Sequence, residues 1–573
     1  MINVSLPLFN YSWCVLMIKP TSLRLVIFMS VLVLLEVVAA PYLSAEEQYN
    51  GQNPRLAVVI VVDQLRGDLL ERRYQHGLAR LLKQGRVYEK AMLGHAVSTT
   101  CPGHAVVLTG YHPGKVGIPS NDFFDEETGE TRYCVHDDDP QSKEIGGSKQ
   151  RSPSTMRVTT LGDWLKESSP ESRVFSVSGK DRAAITLGGH QADAVYWFNR
   201  ETGRFLSSGY YMDELPDYVR EFNGADPVVD GYMKDFPKQW AHGPGSVRED
   251  DFPGEDTEFS RISGHPVLVG STEEINAQVF QSPFIDEATL DLALEIVQHE
   301  QLGQGKSMDV LAISFSATDT IGHLYGPNSA EAEDNLQRLD RLIGSLLTKL
   351  DAAVGEQEYV VAFTADHGVA DLPEWHARKG TLQCTDNGGR IGFLPLLVKL
   401  YWNIYWDFTF PFESPGQLVS FGGAGLSINR DFLGEHELSF EPTRASIESF
   451  VEADEFVVNA WNASEIKTGT SIEAELMRRS YVPARSGDLI VQLHPDCLFS
   501  DSGTTHGSLY DYDRHIPLIF YGWNVMPGRL NRTAASVDIG PTLAKHIGIA
   551  VPDAVDGITL SLDGPLSADP GTR

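Results

Sequence analysis

Six side chains that can bind metal recur beside apolar, β-branched runs. Asp63 directly follows LAVVIVV (56–62), and Asp319 and His323 lie four residues apart in ATDTIGH, after DVLAISFS (309–316). Asp366 and His367 stand in ADHG after YVVAFT (359–364), and His506, in GTTHGS, lies just before IPLIFYG (516–522). A lone Asp after a strand usually caps a helix, and a lone His is usually structural. Three carboxylates and three imidazoles recurring at strand ends are the donor set that two borderline cations such as zinc require. By contrast, His136, Asp137, Asp138 and Asp139 follow no strand and read as a solvated loop.

A nucleophile candidate lies in GHAVSTTCPGHAVVLTG (94–110). Pro102 suits the first turn of a helix running through Ala105–Leu108 and stopping near Gly110, which puts Thr100 at the cap. A hydroxyl there faces backbone N–H groups and the positive end of the helix, a ready anion site. The structural alternative is simple capping; contact with a metal would lower the hydroxyl's pKa and make it a nucleophile.

Strand ends must gather these residues. The runs at 56–62, 173–178, 309–316, 359–364 and 516–522 read as strands buried on both faces. Helical spacing appears between them: Leu336, Leu339, Leu342, Ile343, Leu346, Leu347 and Leu350 form one stripe, and further helices are expected over 286–301 and 68–84. Strand alternating with helix predicts an α/β fold with a mostly parallel central sheet flanked by helices, active at the carboxyl edge of its strands. Stretches near 200–280 and 400–490 break the alternation and read as cap or rim insertions in a single catalytic domain spanning 46–563; 564–573 reads as a disordered tail.

With 573 residues, the chain is too large for a small binding module. Its 46 basic and 78 acidic residues leave a net charge of -32, which argues against binding a nucleic-acid backbone or an anionic membrane. An anionic substrate then needs locally concentrated positive charge. Lys19 and Arg24 before LVIFMSVLVLLEVVAA (25–40) and PYLSAEE read as a secretory signal behind an N-terminal extension, cleaved after Ala45. An uncleaved anchor is the alternative, although the run is short and carries Glu36. Export to the periplasm or medium follows, with no stable membrane partner beyond that segment. Cys101, Cys134, Cys384 and Cys497 then permit two disulfides in three possible pairings, among which no spacing decides. Sequons at Asn462 and Asn531 matter only in a glycosylating host.

The segments VVDQLRGD, STTCPGH with LTG, SNDFFD, SGKDRA, SFSATDTIGH, RLDR, TADHG and GTTHGS with PLIFYG, in this order, resemble the alkaline phosphatase superfamily. The resemblance is to its threonine-nucleophile, PafA-like branch, over about residues 55–550. It implies two Zn2+ per chain, one held by Asp319, His323 and His506, the other by Asp63, Asp366, His367 and the nucleophile Thr100. It also implies phosphate contacts from Asn121, Lys180 and Arg182, and hydrolysis of small-molecule phosphate monoesters through a phosphothreonine intermediate. The C-x-P-x-R pattern of the sulfatase branch fails at Cys101-Pro102, so Cys101 reads as a buried neighbour of the nucleophile. The phosphodiesterase/nucleotide pyrophosphatase branch shares Thr, Asn and all six ligands but lacks the Lys-x-Arg clamp. A catalytically silent phosphoryl-ligand binding protein is a third possibility, opposed by the complete ligand set.

Overall fold

The computed structural model describes residues 53–564 apart from 244–247, 385–386, 393–395, 397, 403 and 405–416. The expected leader and the tail after Gly564 lie outside the described residues. LAVVIVV forms strand β1 (Leu56–Val62), with every residue buried. Branched side chains stiff at χ1 suit extended backbone, and burial on both faces replaces alternation with a continuous apolar run.

Around β1, strands β2 (Arg86–Met92), β3 (Val174–Ser178), β4 (Ala194–Asn199), β5 (Arg204–Leu206), β6 (Asp309–Phe315), β7 (Tyr359–Thr364), β8 (Leu518–Gly522) and β9 (Gly528–Ala535) complete a nine-stranded sheet. Its order is β9-β2-β8-β7-β1-β6-β3-β4-β5. β1 pairs in parallel with β6 and β7, β3 with β6 and β4, and β9 with β2. Two strands are reversed: β8 is antiparallel to β7 and β2, and β5 to β4. The sheet is thus mostly parallel, as the alternation predicts.

Six helices matter for the site: α1 (Gly77–Gln84), α2 (Thr100–Thr109), α3 (Asp181–Gly188), α4 (Phe284–His299), α5 (Ala317–Tyr325) and α6 (Ala330–Leu350). Ser329 caps α6 by accepting the Ala332 N–H at 3.1 Å. The expected stripe on α6 is buried except Leu342, which is partly covered; a fully buried Leu or Ile stabilises by about 1.5–3 kcal/mol. The single helix expected over 68–84 is broken into a 3-10 turn, Gly67–Glu71, and α1. The carboxylate of Asp340, on α6, breaks it by accepting the N–H groups of Gln75, His76 and Leu78 at 2.8–2.9 Å. Gly77 then lies so close to α6 that a Cβ there would sit 2.2 Å from Gly344 N.

Both insertions are structured. The first holds β5, helices Asp217–Asn223 and Thr272–Phe280, and a small pair of strands, Gln239–Trp240 and His265–Pro266. The second builds a four-stranded antiparallel sheet over its own apolar cluster, including Leu418, Leu426 and Ile447.

Candidate active site

All six proposed ligands meet at one edge of the sheet. Asp63 follows β1, and Asp366 and His367 follow β7. His506 precedes β8, and because β8 is reversed, the loop that leads into it starts at the edge where β1, β6 and β7 end. Asp319 and His323 sit on α5. The Asp286 carboxylate accepts the N–H groups of Ser316 and Ala317 at 2.7 and 2.9 Å, so the chain turns into helix immediately after β6. Spacing of four then stacks Asp319 and His323 on one face.

His323 Nε2 and His506 Nε2 lie 3.3 and 3.5 Å from Asp319 Oδ1. His367 Nε2 lies 3.2 Å from Asp366 Oδ2 and 3.6 Å from Asp63 Oδ1. Ligand atoms fall into three groups: Asp319 with His323 and His506, Asp63 with Asp319 and His367, and Asp63 with His104 and Asp366. The first is the set implied for one cation. The second implied set is shared between two overlapping groups, and His104 joins it.

Each ring has its tautomer fixed from behind. Nδ1 of His323, His506 and His367 lies 2.8, 2.7 and 2.9 Å from the carbonyls of Thr504, Ser98 and Gly368. Nδ1–H therefore donates outward and each Nε2 turns a lone pair to the centre, the usual arrangement behind metal-binding histidines. Asp63 Oδ1, Asp366 Oδ2 and His367 Nε2 are buried and carry no hydrogen bond. Buried, unsatisfied N and O donors of this kind fit divalent cations. Burial, followed by the charges of Asp319 and Asp366, lifts the Asp63 carboxyl well above its ordinary range. Burial, reinforced by the neighbouring His506, pushes His367 down to about 3, so its ring is neutral and free to ligate.

Thr100 is the first residue of α2, and Thr99, with extended backbone, is the cap. This moves the expected cap back by one residue and leaves the Thr100 hydroxyl at the helix entrance. Arg182 Nη2 lies 3.4 Å from Thr100 Oγ1. The Tyr133 hydroxyl holds Arg182 Nη1 at 3.3 Å and donates to Asp181 Oδ1 at 2.5 Å; Arg151 holds the other Asp181 oxygen at 2.6 Å. Asn121 Oδ1 accepts the Cys101 N–H at 2.8 Å, which leaves its NH2 group to donate. Lys180 Nζ lies 2.6 Å from Asp63 Oδ2 and 2.5 Å from Asp319 Oδ2, bridging carboxylates of both ligand sets. Burial alone would lower its pKa, but Asp319 and Asp63 outweigh it and keep the ammonium charged. An open cavity of about 470 Å³ lined by Lys180, Arg182, Asp319 and His323 gives access.

Several positioning residues carry little signal in the sequence. His104 Nδ1 lies 3.0 Å from both Thr100 O and Asp366 Oδ2, and its spacing of four from Thr100 within one helix was the available clue. Gln64 donates to Asp366 Oδ1 from its backbone and to Asp319 Oδ1 from its side chain. Asp513 Oδ2 accepts from Gly507 N, Ser508 N and Ser508 Oγ, shaping the His506 loop. Disulfides join Cys101 to Cys134 and Cys384 to Cys497. Cys101 therefore does more than pack beside the nucleophile: it ties α2 to the residue after Tyr133. The His136–Asp139 run is a loop in which Asp138 is exposed beside Arg132.

Residues 57–513 match the family model for type I phosphodiesterase / nucleotide pyrophosphatase. A protein named calcium-transporting ATPase from Myroides odoratus is 34% identical over 88% of this chain and 93% of its own length. The alkaline phosphatase PhoV of Synechococcus elongatus is 32% identical over 88% of this chain and 92% of its own. The crystal structure of alkaline phosphatase PafA superposes with a TM-score of 0.81 at 28% identity, over 89% of this chain and 98% of that one. Matched motifs, sheet and site together place the chain in the type I phosphodiesterase / nucleotide pyrophosphatase family, on its PafA-like alkaline phosphatase branch.

Proposed function

We propose that this enzyme is a phosphomonoesterase in which Thr100 attacks a phosphate monoester, is phosphorylated, and is then released by water. The carrying observation is the Thr100 hydroxyl at a helix entrance, 3.4 Å from a partly buried guanidinium that makes no salt bridge among the described residues. A metal cofactor belongs to the reading, as two zinc ions: one on Asp319, His323 and His506, the other on Asp63, Asp366, His367 and Thr100. Bound zinc would supply Lewis acidity, lowering the pKa of hydroxyl groups and neutralising charge on the leaving oxygen.

The chain's own groups do the rest. Arg182 and the Asn121 NH2 group donate to non-bridging oxygens, and the N-terminus of α2 adds its positive end. Tyr133 fixes the guanidinium in place before substrate arrives, so little reorganisation is left for the transition state. Lys180 has a double duty, because its ammonium balances Asp63 and Asp319 while facing the cavity. No protein general acid is needed when the leaving oxygen is neutralised this way.

Export is part of the proposal, supported by two disulfides, which persist in oxidising compartments. The test is kcat/KM of the purified zinc-loaded protein on an aryl phosphate monoester and the matching diester. The monoester should be strongly preferred; a preference for the diester, or zinc binding with no phosphate release, overturns the reading.

A further inference from the structure

Outside the active site, two histidines and a glutamate converge at the root of the first insertion. His242 follows the strand Gln239–Trp240, His265 lies in the strand paired with it, and Glu331 is the second residue of α6. His242 Nε2 and His265 Nε2 lie 3.1 and 3.2 Å from Glu331 Oε1, and the three ligand atoms all lie within 4.8 Å of one another. Glu331 is fully buried and His265 nearly so.

Two arrangements could satisfy this cluster. An imidazolium would aim its N–H along a hydrogen bond to the carboxylate. Here both Nε2 atoms and both Glu331 oxygens are buried without a hydrogen bond, despite their closeness. Lone pairs that converge without pairing are what a cation between them would satisfy. No Lys or Arg forms a salt bridge with Glu331 among the described residues, and a buried carboxylate without a partner costs several kcal/mol. His265 Nδ1 lies 3.1 Å from the Phe259 carbonyl, the same support from behind that the active-site rings show. Glu255, within electrostatic reach of Glu331, is buried with Oε1 unpaired, while its Oε2 accepts the Phe252 N–H.

We infer that His242, His265 and Glu331 form a third, structural divalent-metal site, suited to zinc, that clips the first insertion to the core. Two imidazoles and a carboxylate are a common zinc donor set. The clip lies behind a wall of the active site. Between the two histidines, Asp256 N donates to Leu324 O at 2.8 Å, and Gly254 O accepts from Gly503 N at 2.7 Å. These contacts adjoin His323 and the His506 loop, so an anchored insertion holds both in register. Tyr325, at the end of α5, adds a link by donating to Ser260 O at 3.2 Å.

The test counts zinc by mass spectrometry in the full-length enzyme, stripped, reloaded and freed of excess metal. His242→Ala should bind one equivalent fewer than wild type while keeping aryl phosphate turnover within about tenfold. His323→Ala/His506→Ala, which disables the catalytic centre, should retain the third equivalent. The readout is a difference between proteins, so it stands whether or not the catalytic metals number two. In case His242→Ala fails to fold, the His323→Ala/His506→Ala protein provides a second measurement: zinc should protect residues 248–262 from proteolysis. Equal zinc in wild type and His242→Ala, or no zinc-dependent protection, overturns the site.

Discussion

Replacing Arg182 with Ala should separate monoester from diester chemistry. Its guanidinium is partly buried at the wall of the cavity, lies 3.4 Å from Thr100 Oγ1, and has a buried Nε without a hydrogen-bond partner. A transferred monoester phosphoryl group can accept two of its N–H groups. Charge-assisted bonds are worth about 1.5–3 kcal/mol each, so the variant should lose about 3–6 kcal/mol. That is roughly 100- to 10,000-fold in kcat/KM. A diester has one non-bridging oxygen fewer and one charge less, so only one bond is lost, or roughly 10- to 100-fold. Tyr133→Phe keeps the charge but frees the guanidinium, and should cost about tenfold on the monoester alone. Lys180→Ala should behave differently: because Nζ bridges Asp63 and Asp319, both substrates should suffer together and zinc affinity should change. Equal losses on the two substrates in Arg182→Ala would refute the clamp.

Chelation should abolish turnover and added zinc restore it; full activity after thorough stripping, checked by metal analysis, would sink the metal reading. Acid-quenched turnover followed by peptide mapping should place phosphate on Thr100, and Thr100→Ala should lose nearly all activity; phosphate on Thr99 would shift the assignment to the helix cap. Cys101→Ala opens a bridge of sequence separation 33, which should lower stability by about 2–5 kcal/mol in chemical unfolding while leaving substantial activity at low temperature. Burial lifts the Asp286 carboxyl to about 7, against two backbone N–H bonds that lower it. The folded state therefore holds a proton that the unfolded chain releases near pH 4, and this stabilisation is lost as pH rises toward 7. Asp286→Asn should remove that slope, gaining of order 2–4 kcal/mol relative to wild type between pH 5 and pH 8; parallel pH profiles would contradict it.

The buried strands were legible because burial on both faces writes itself as a β-branched run, and the converging Asp and His side chains because they adjoin those runs. What the sequence hides is set by distant partners. Asp340 breaks the helix expected over 68–84 from far along the chain, and Asp286 starts the helix directly after β6. The cap position at Thr99 or Thr100 differs by one residue, finer than any capping preference resolves. Lys180 reads as a phosphate contact, but its bridging of two carboxylates depends on strand order, which periodicity does not encode. The cysteine pairing was open for the same reason. His242 and His265 lie in a polar stretch with almost no strand signal, so nothing marked them as neighbours of Glu331.

The reversed direction of β8 has a consequence for biogenesis. Asp63 is made early and His506 late, and the loop carrying His506 reaches the other ligands only when β8 inserts between β7 and β2. Closing so long a stretch of chain is entropically costly and slow. A chain still emerging from the ribosome or a membrane pore cannot complete the ligand set, so metal capture becomes a late event that follows delivery of nearly the whole polypeptide. Metal uptake then reports on finished chains, because products that lack β8 and the loop before it cannot gather the six side chains.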